Sequence, residues 1–260
     1  MKDLFSIPLY HENILNHNCE DGRKVHNINQ SVIDDCVSFY LKRLENLGDT
    51  DTTNQTLVRT ASHHDINGVF LNDPYRECRA MEPVHEWKTL EKVITAEVTG
   101  YVNSISKYSR LKKGTEWFSY TWFNVFDKDD TYAWHEHNLY FISCVYYPTD
   151  GPGNMPIIFK SPLAGLINTW WPGPTFGLSD INRWNQEVVI YPKKGDLIIF
   201  PSWLEHTVNT PTHSFTKSPE LIEFSFGHRQ TEQHTSSNDP YRVSINSNYG
   251  IKEVVDGLFQ

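Results

Sequence analysis

The chain has 260 residues, and Lys plus Arg (23) against Asp plus Glu (32) leaves a formal charge of −9. That sign argues against recognition of nucleic-acid phosphates or anionic lipid, since either polyanion would be repelled on approach. At this length about 75% of the unfolded surface is buried on folding, so no disulfide or structural-metal staple is needed. Aromatic residues supply a third of the 38% apolar fraction, a bias toward pleated sheet. Cys19, Cys36, Cys78 and Cys144 are widely spaced and form no Cys-x-x-Cys pair, which fits inert thiols in a reducing cytosol. The apolar run Leu4 to Tyr10 is broken by Pro8, and Leu197 to Phe200 is stopped by Pro201. Neither reads as a targeting or membrane-spanning segment, so a cytoplasmic location is expected (host cytoplasm if the source is viral).

In chain order, Ser31 caps an expected helix through Leu47, with Ile33, Val37, Tyr40, Leu41 and Leu44 at helical spacing and Gly48 as the stop. Residues 49–54 and 62–79 read as loop and irregular structure. A second helix is expected over Glu86–Tyr108, with Trp87, Leu90, Val93, Ile94, Val98, Tyr101, Val102 and Ile105 on one face. Beyond Gly114 the texture changes to short β-branched and aromatic runs between turn residues. Strands are expected at Trp117–Phe126, Tyr140–Tyr147, Met155–Lys160, Glu187–Tyr191, Asp196–Phe200, Glu205–Val208 and Leu221–Gly227.

Two helices followed by seven or eight short strands predict an α+β jelly roll, with the helices buttressing one face. One domain is expected over 1–260: a helical part at 1–114, a jelly-roll core at 115–230 and a loosely held polar tail at 231–260. The Trp-rich insertion Leu163 to Asn185 suits either a lid or a packed loop.

Ala133-Trp134-His135-Glu136-His137-Asn138 carries the strongest chemical signal. Histidines at i and i+2 on extended chain share a face, which lets both imidazoles reach one metal. His206 follows 69 residues later, after a strand opened by the turn Lys194-Gly195-Asp196. Three ligands with open positions opposite suit a metal that binds both substrate and dioxygen. The bland alternative is that His135 and His137 are surface residues in a polar turn. Glu136 faces the other way on extended chain, so it is not expected to bind metal. His63-His64-Asp65 reads as solvated loop and Lys112-Lys113 as a helix end.

Trp122-Phe123-Asn124-Val125-Phe126, His135-Glu136-His137, Ser143-Cys144-Val145-Tyr146-Tyr147 and the block Gly195 to His206 together resemble the 2-oxoglutarate/Fe(II) oxygenases common in marine phages and bacteria. Leu4 to Leu9 also resembles the family's N-terminal strand. The likeness is dense from Trp122 to His206.

It implies a double-stranded β-helix holding one Fe(II) through His135, His137 and His206, with 2-oxoglutarate and O2 as co-substrates. The implied reaction oxidises 2-oxoglutarate to succinate and hydroxylates a C–H bond of a small molecule or side chain. In the wider superfamily the second ligand is Asp or Glu; here that place is His137. The family also clamps the distal carboxylate with an Arg opening the last strand, followed by a Ser two places on. Strand matching puts Leu221 and Glu223 there, whereas counting eleven residues from His206 gives Lys217, with Arg229 as a further candidate. Lys217 is the expected clamp, and Asn124 and Tyr147 are expected hydrogen-bond donors beside it. Two other readings stay open: a three-histidine cupin-type metalloenzyme that does not use 2-oxoglutarate, and a non-enzymatic jelly-roll binding or virion module.

Overall fold

A computed structural model describes residues 7–47, 68–72, 85–105, 115–126, 132–138, 140–151, 155–162, 187–208 and 239–251. Lys217, Leu221, Arg229, His63 to Asp65, Lys112-Lys113 and the tryptophans of the insertion lie outside the described residues.

Helix α1 (Val25–Leu47) buries Val25, Ile28, Val32, Cys36 and Tyr40, which recur every three or four residues along one stripe. It starts six residues before the expected Ser31 cap. The amides of Val25 and His26 donate to the carbonyls of His17 and Leu15, so the preceding loop caps the helix without a Ser side chain. Helix α2 (Trp87–Ile105) buries Trp87, Leu90, Val93, Ile94, Val98 and Tyr101, the face expected from its spacing.

The described residues form ten strands, in chain order β1 (Tyr10–Asn13), β2 (Gly68–Asn72), β3 (Trp117–Phe126), β4 (Tyr132–His135), β5 (Ile142–Tyr147), β6 (Ile157–Lys160), β7 (Glu187–Ile190), β8 (Asp196–Pro201), β9 (His206–Val208) and β10 (Arg242–Ile251). They form two antiparallel sheets. The larger runs β1-β8-β5-β10-β3-β2 and the smaller β4-β9-β6-β7. Counted from β3, successive core strands alternate mainly between the sheets, the winding of a double-stranded β-helix. The fold is α+β, as expected.

The larger sheet is covered on both faces, which explains its nearly unbroken apolar runs. Phe123, Val125, Cys144, Tyr146, Leu197, Ile199, Val243 and Ile245 point to the helices. Val145, Tyr147, Ile198 and Phe200 point the other way, toward Ile157 and Phe159 of the smaller sheet. Gly195 turns the chain into β8 at φ +88, where a Cβ would lie 2.2 Å from Leu15 Cγ. β1 is tied to that turn through His11 Nε2, 2.8 Å from Asp196 Oδ2.

Three expectations are corrected: Gly68–Asn72, read as irregular, forms β2; α1 buries Val32 and Cys36, while Ile33 and Val37 are half-buried and Leu41 is exposed; and the C-terminal stretch is not a tail. The polar stretch read as a tail from residue 231 contains β10, a ten-residue strand between β3 and β5 in the middle of the larger sheet. The reason is its two-faced pattern. Arg242, Ser244, Asn246 and Asn248 alternate with Val243, Ile245, Ser247 and Tyr249, so half the strand is polar although nearly all of it is buried. The expected last strand, Leu221–Gly227, lies outside the described residues.

Candidate metal centre

Three elements bring the histidines together. His135 ends β4, His206 opens β9, and the two are cross-strand partners. His137 lies just past β4, where its backbone amide donates to the Ser202 carbonyl at 2.9 Å. One ligand nitrogen from each of the three rings lies within 4.8 Å of the others, and these three are the only such metal-binding group among the described residues. His206 is 4% exposed, while His135 and His137 are half-buried. Glu136 is exposed and outside the group, as its place on extended chain predicts.

Aromatic rings box the cluster. Trp122 stands 5.6 Å from His137, Tyr132 4.4 Å from His135 and Phe200 4.8 Å from His206, between ring centroids. Burial pushes the His206 imidazole down to about 3, helped by charge on His137 and opposed by its bond to the Leu204 carbonyl. A buried imidazole that stays neutral keeps a lone pair for a metal across the ordinary pH range.

The three histidines line a narrow cleft with a cavity volume of about 20 Å³. Its walls include Trp122 and Asn124 of β3, Tyr147 of β5, and Arg242, Ser244 and Asn246 of β10. The structure thus brings Asn124 and Tyr147 to the site with the histidines. Arg242 and Ser244 are the residues that sequence reasoning missed.

Arg242 is 2% exposed, and its Nη2 has no hydrogen-bond partner among the described residues. Its guanidinium carbon sits 4.5 Å over the Tyr147 ring, whose hydroxyl is also buried and unpartnered. Burial pulls the guanidinium down from its usual range, with Tyr147 opposing. Close coverage depends on Gly151, at φ +75, because a Cβ there would lie 2.4 Å from Arg242 Cβ. A buried cation with an unsatisfied N–H is costly, and such a group in a cleft wall suits an anion. Two features of the sequence pointed to it: the period-2 alternation of 242–249, and the Arg-x-Ser pattern of Arg242 and Ser244 on one face.

The residues fit both implied groups. Imidazoles suit iron, and three neutral ligands leave its divalent charge for a chelating dianion to offset. The buried guanidinium fits a carboxylate bidentately.

Residues 120–226 match the model of a 2OG-Fe(II) oxygenase family. The matched segment contains all three histidines but stops short of β10, so Arg242 emerges only from the fold. No curated protein matches the chain.

Solved structures similar to the chain include an oxidoreductase of the 2OG-Fe(II) oxygenase family from Burkholderia pseudomallei. It is 14% identical with a TM-score of 0.36, over 64% of this chain and 57% of that one. A Pseudomonas putida prolyl-4-hydroxylase is 10% identical with a TM-score of 0.45, over 95% and 94%. HygX from Streptomyces hygroscopicus, solved with nickel and 2-oxoglutarate bound, is 12% identical with a TM-score of 0.42, over 95% and 83%. Among the described residues no helix is long and apolar enough to cross a membrane.

Proposed function

We propose that the chain works as one domain, a non-haem Fe(II)- and 2-oxoglutarate-dependent oxygenase that hydroxylates a small molecule. His135, His137 and His206 would hold the metal. Arg242, not Lys217, would clamp the distal carboxylate of 2-oxoglutarate, with Ser244 beside it. The observation that carries this reading is one cleft with three convergent imidazoles and, in its walls, a buried guanidinium whose Nη2 has no hydrogen-bond partner among the described residues.

Iron, when bound, supplies activation of dioxygen coupled to decarboxylation of 2-oxoglutarate. The chain's own residues do the rest. Arg242 fixes the co-substrate through charge-assisted bonds in a wall poor in water. Asn124 and Tyr147 line the same wall and can donate to the bound acid. Trp122, Tyr132 and Phe200 keep water from the imidazole cluster, which strengthens every electrostatic contact inside.

Anaerobic addition of 2-oxoglutarate to the Fe(II) protein tests the reading, because chelation creates a visible charge-transfer band. Iron without the band would favour a three-histidine cupin-type enzyme. No iron uptake at all would favour a binding module.

A further inference from the structure

The three histidines are not held alike. His135 Nδ1 lies 2.9 Å from the Ala133 carbonyl, and His206 Nδ1 lies 2.9 Å from the Leu204 carbonyl. A carbonyl oxygen only accepts, so both Nδ1 atoms carry hydrogen and both Nε2 atoms keep a lone pair. In each case the carbonyl belongs to the residue two places back, so the backbone fixes the tautomer.

His137 is held by a side chain instead. Its Nδ1 lies 3.0 Å from the amide nitrogen of Asn248 on β10, and its Nε2 lies 3.3 Å from His206 Nε2. Asn248 Nδ2 only donates, so His137 Nδ1 accepts and the ring's hydrogen sits on Nε2, directed at His206. That arrangement satisfies both rings without metal. It also blocks His137 as an Nε2 ligand, because the nitrogen facing the site bears hydrogen.

A primary amide presents oxygen where it presented nitrogen once it turns by half a revolution. Behind Asn248 stands a partner that accommodates both orientations. Ser143 Oγ donates to Asn248 Oδ1 at 2.8 Å, and Ser202 Oγ lies 2.8 Å from Ser143 Oγ. A hydroxyl can donate or accept. After the turn, Asn248 Nδ2 would donate to Ser143, Ser143 would donate to Ser202, and Asn248 Oδ1 would accept His137 Nδ1–H. Asn248, Ser143 and Ser202 are at most 3% exposed, so water cannot substitute for a lost bond.

We propose that Asn248 is a positioning residue that sets which nitrogen of His137 faces the metal, and that its amide turns as the metal binds, with Ser143 and Ser202 as the reversible partner. The hydrogen of His137 moves from Nε2 to Nδ1, with no net gain or loss of protons. This inference rests on the three-histidine metal site proposed above.

The test uses the full chain and reads tautomers directly. Nitrogen-15 NMR of the imidazoles should show hydrogen on His137 Nε2 in metal-free protein and on Nδ1 with Zn(II) bound. His135 and His206 should carry hydrogen on Nδ1 in both states. Asn248→Ala should weaken Fe(II) binding about 10–100-fold. Asn248→Asp, whose carboxylate only accepts, should bind at least as tightly as wild type and show the Nδ1–H tautomer even without metal.

An unchanged His137 tautomer on adding Zn(II) would overturn the proposal. So would a folded Asn248→Ala protein with wild-type Fe(II) affinity. If that variant does not fold, the wild-type spectra decide alone. Failure of the metal site itself would look different: wild-type protein would show no zinc-dependent change at any of the three rings.

Discussion

His135 of β4 and His206 of β9 face each other as cross-strand partners, with ring centroids 4.2 Å apart. The register of a two-strand ribbon therefore builds two-thirds of the candidate metal centre. Side chains alternate along a strand, so a slip of one residue would turn one of these rings to the outer face. The third imidazole depends on different contacts, the Ser202 carbonyl and Asn248.

His135→Ala, His137→Ala and His206→Ala should each sharply lower iron content after anaerobic loading, since two imidazoles leave too few ligands. Metal analysis of the three purified variants checks this. Full iron stoichiometry in all three would refute the ligand set.

Removing Arg242 should separate co-substrate binding from metal binding. Arg242→Met should raise the 2-oxoglutarate concentration for half-maximal decarboxylation about tenfold or more, roughly 1.4 kcal/mol, and leave iron content unchanged. The unsatisfied Nη2 of this buried cation is a burden in the empty protein, so the variant should melt no lower than wild type when 2-oxoglutarate is absent. Saturating 2-oxoglutarate should then raise the wild-type melting temperature and not the variant's. Lys217→Ala is the matched control: a comparable loss there, with Arg242→Met unaffected, would return the clamp to Lys217.

Glu136→Gln should keep both iron content and 2-oxoglutarate turnover, because the side chain is exposed and lies outside the imidazole cluster. Iron loss as large as in a histidine variant would show that Glu136 supplies a ligand.

Metal-free protein should lose stability as pH falls. The folded-state value of His206, about 3, lies below the ordinary 6.5 of an unfolded chain. Between those values the unfolded state binds the extra proton, so unfolding becomes easier as pH drops from about 6.5 toward 3, and the effect vanishes above about 6.5. Melting temperatures from pH 7.5 to 4.5 should fall less steeply for His206→Gln than for wild type. Identical slopes would remove His206 as the cause.

Much of this was legible in the residues. β3 runs from Trp117 to Phe126 as its aromatic alternation predicts, and the three histidines named from the sequence lie together, His206 as the cross-strand partner of His135. Helix α1 starts early because backbone carbonyls of a loop cap it, and capping of that kind leaves no residue signature. β10 was missed for a different reason. Its burial is polar, with Arg242, Ser244 and Asn248 facing the cleft or His137, and composition alone reads such residues as solvated. Only the strict alternation with Val243, Ile245 and Tyr249 distinguishes a buried polar-faced strand from a tail.

β10 also imposes an order on assembly. It fills the slot between β3 and β5, pairing with β3 along its whole length and with β5 over Ile245–Tyr249. Until residues 242–251 are in place, those two neighbours each present an unpaired edge beside an apolar face, the situation that invites association with other chains. The closing pairings span more than a hundred residues, and such distant contacts form slowly because the loops they close are long. A chain cut before Arg242 would lack the clamp and the partner of His137, and it would also carry a gap through the middle of its main sheet. Shortened products should consequently accumulate as aggregates rather than as folded protein without activity.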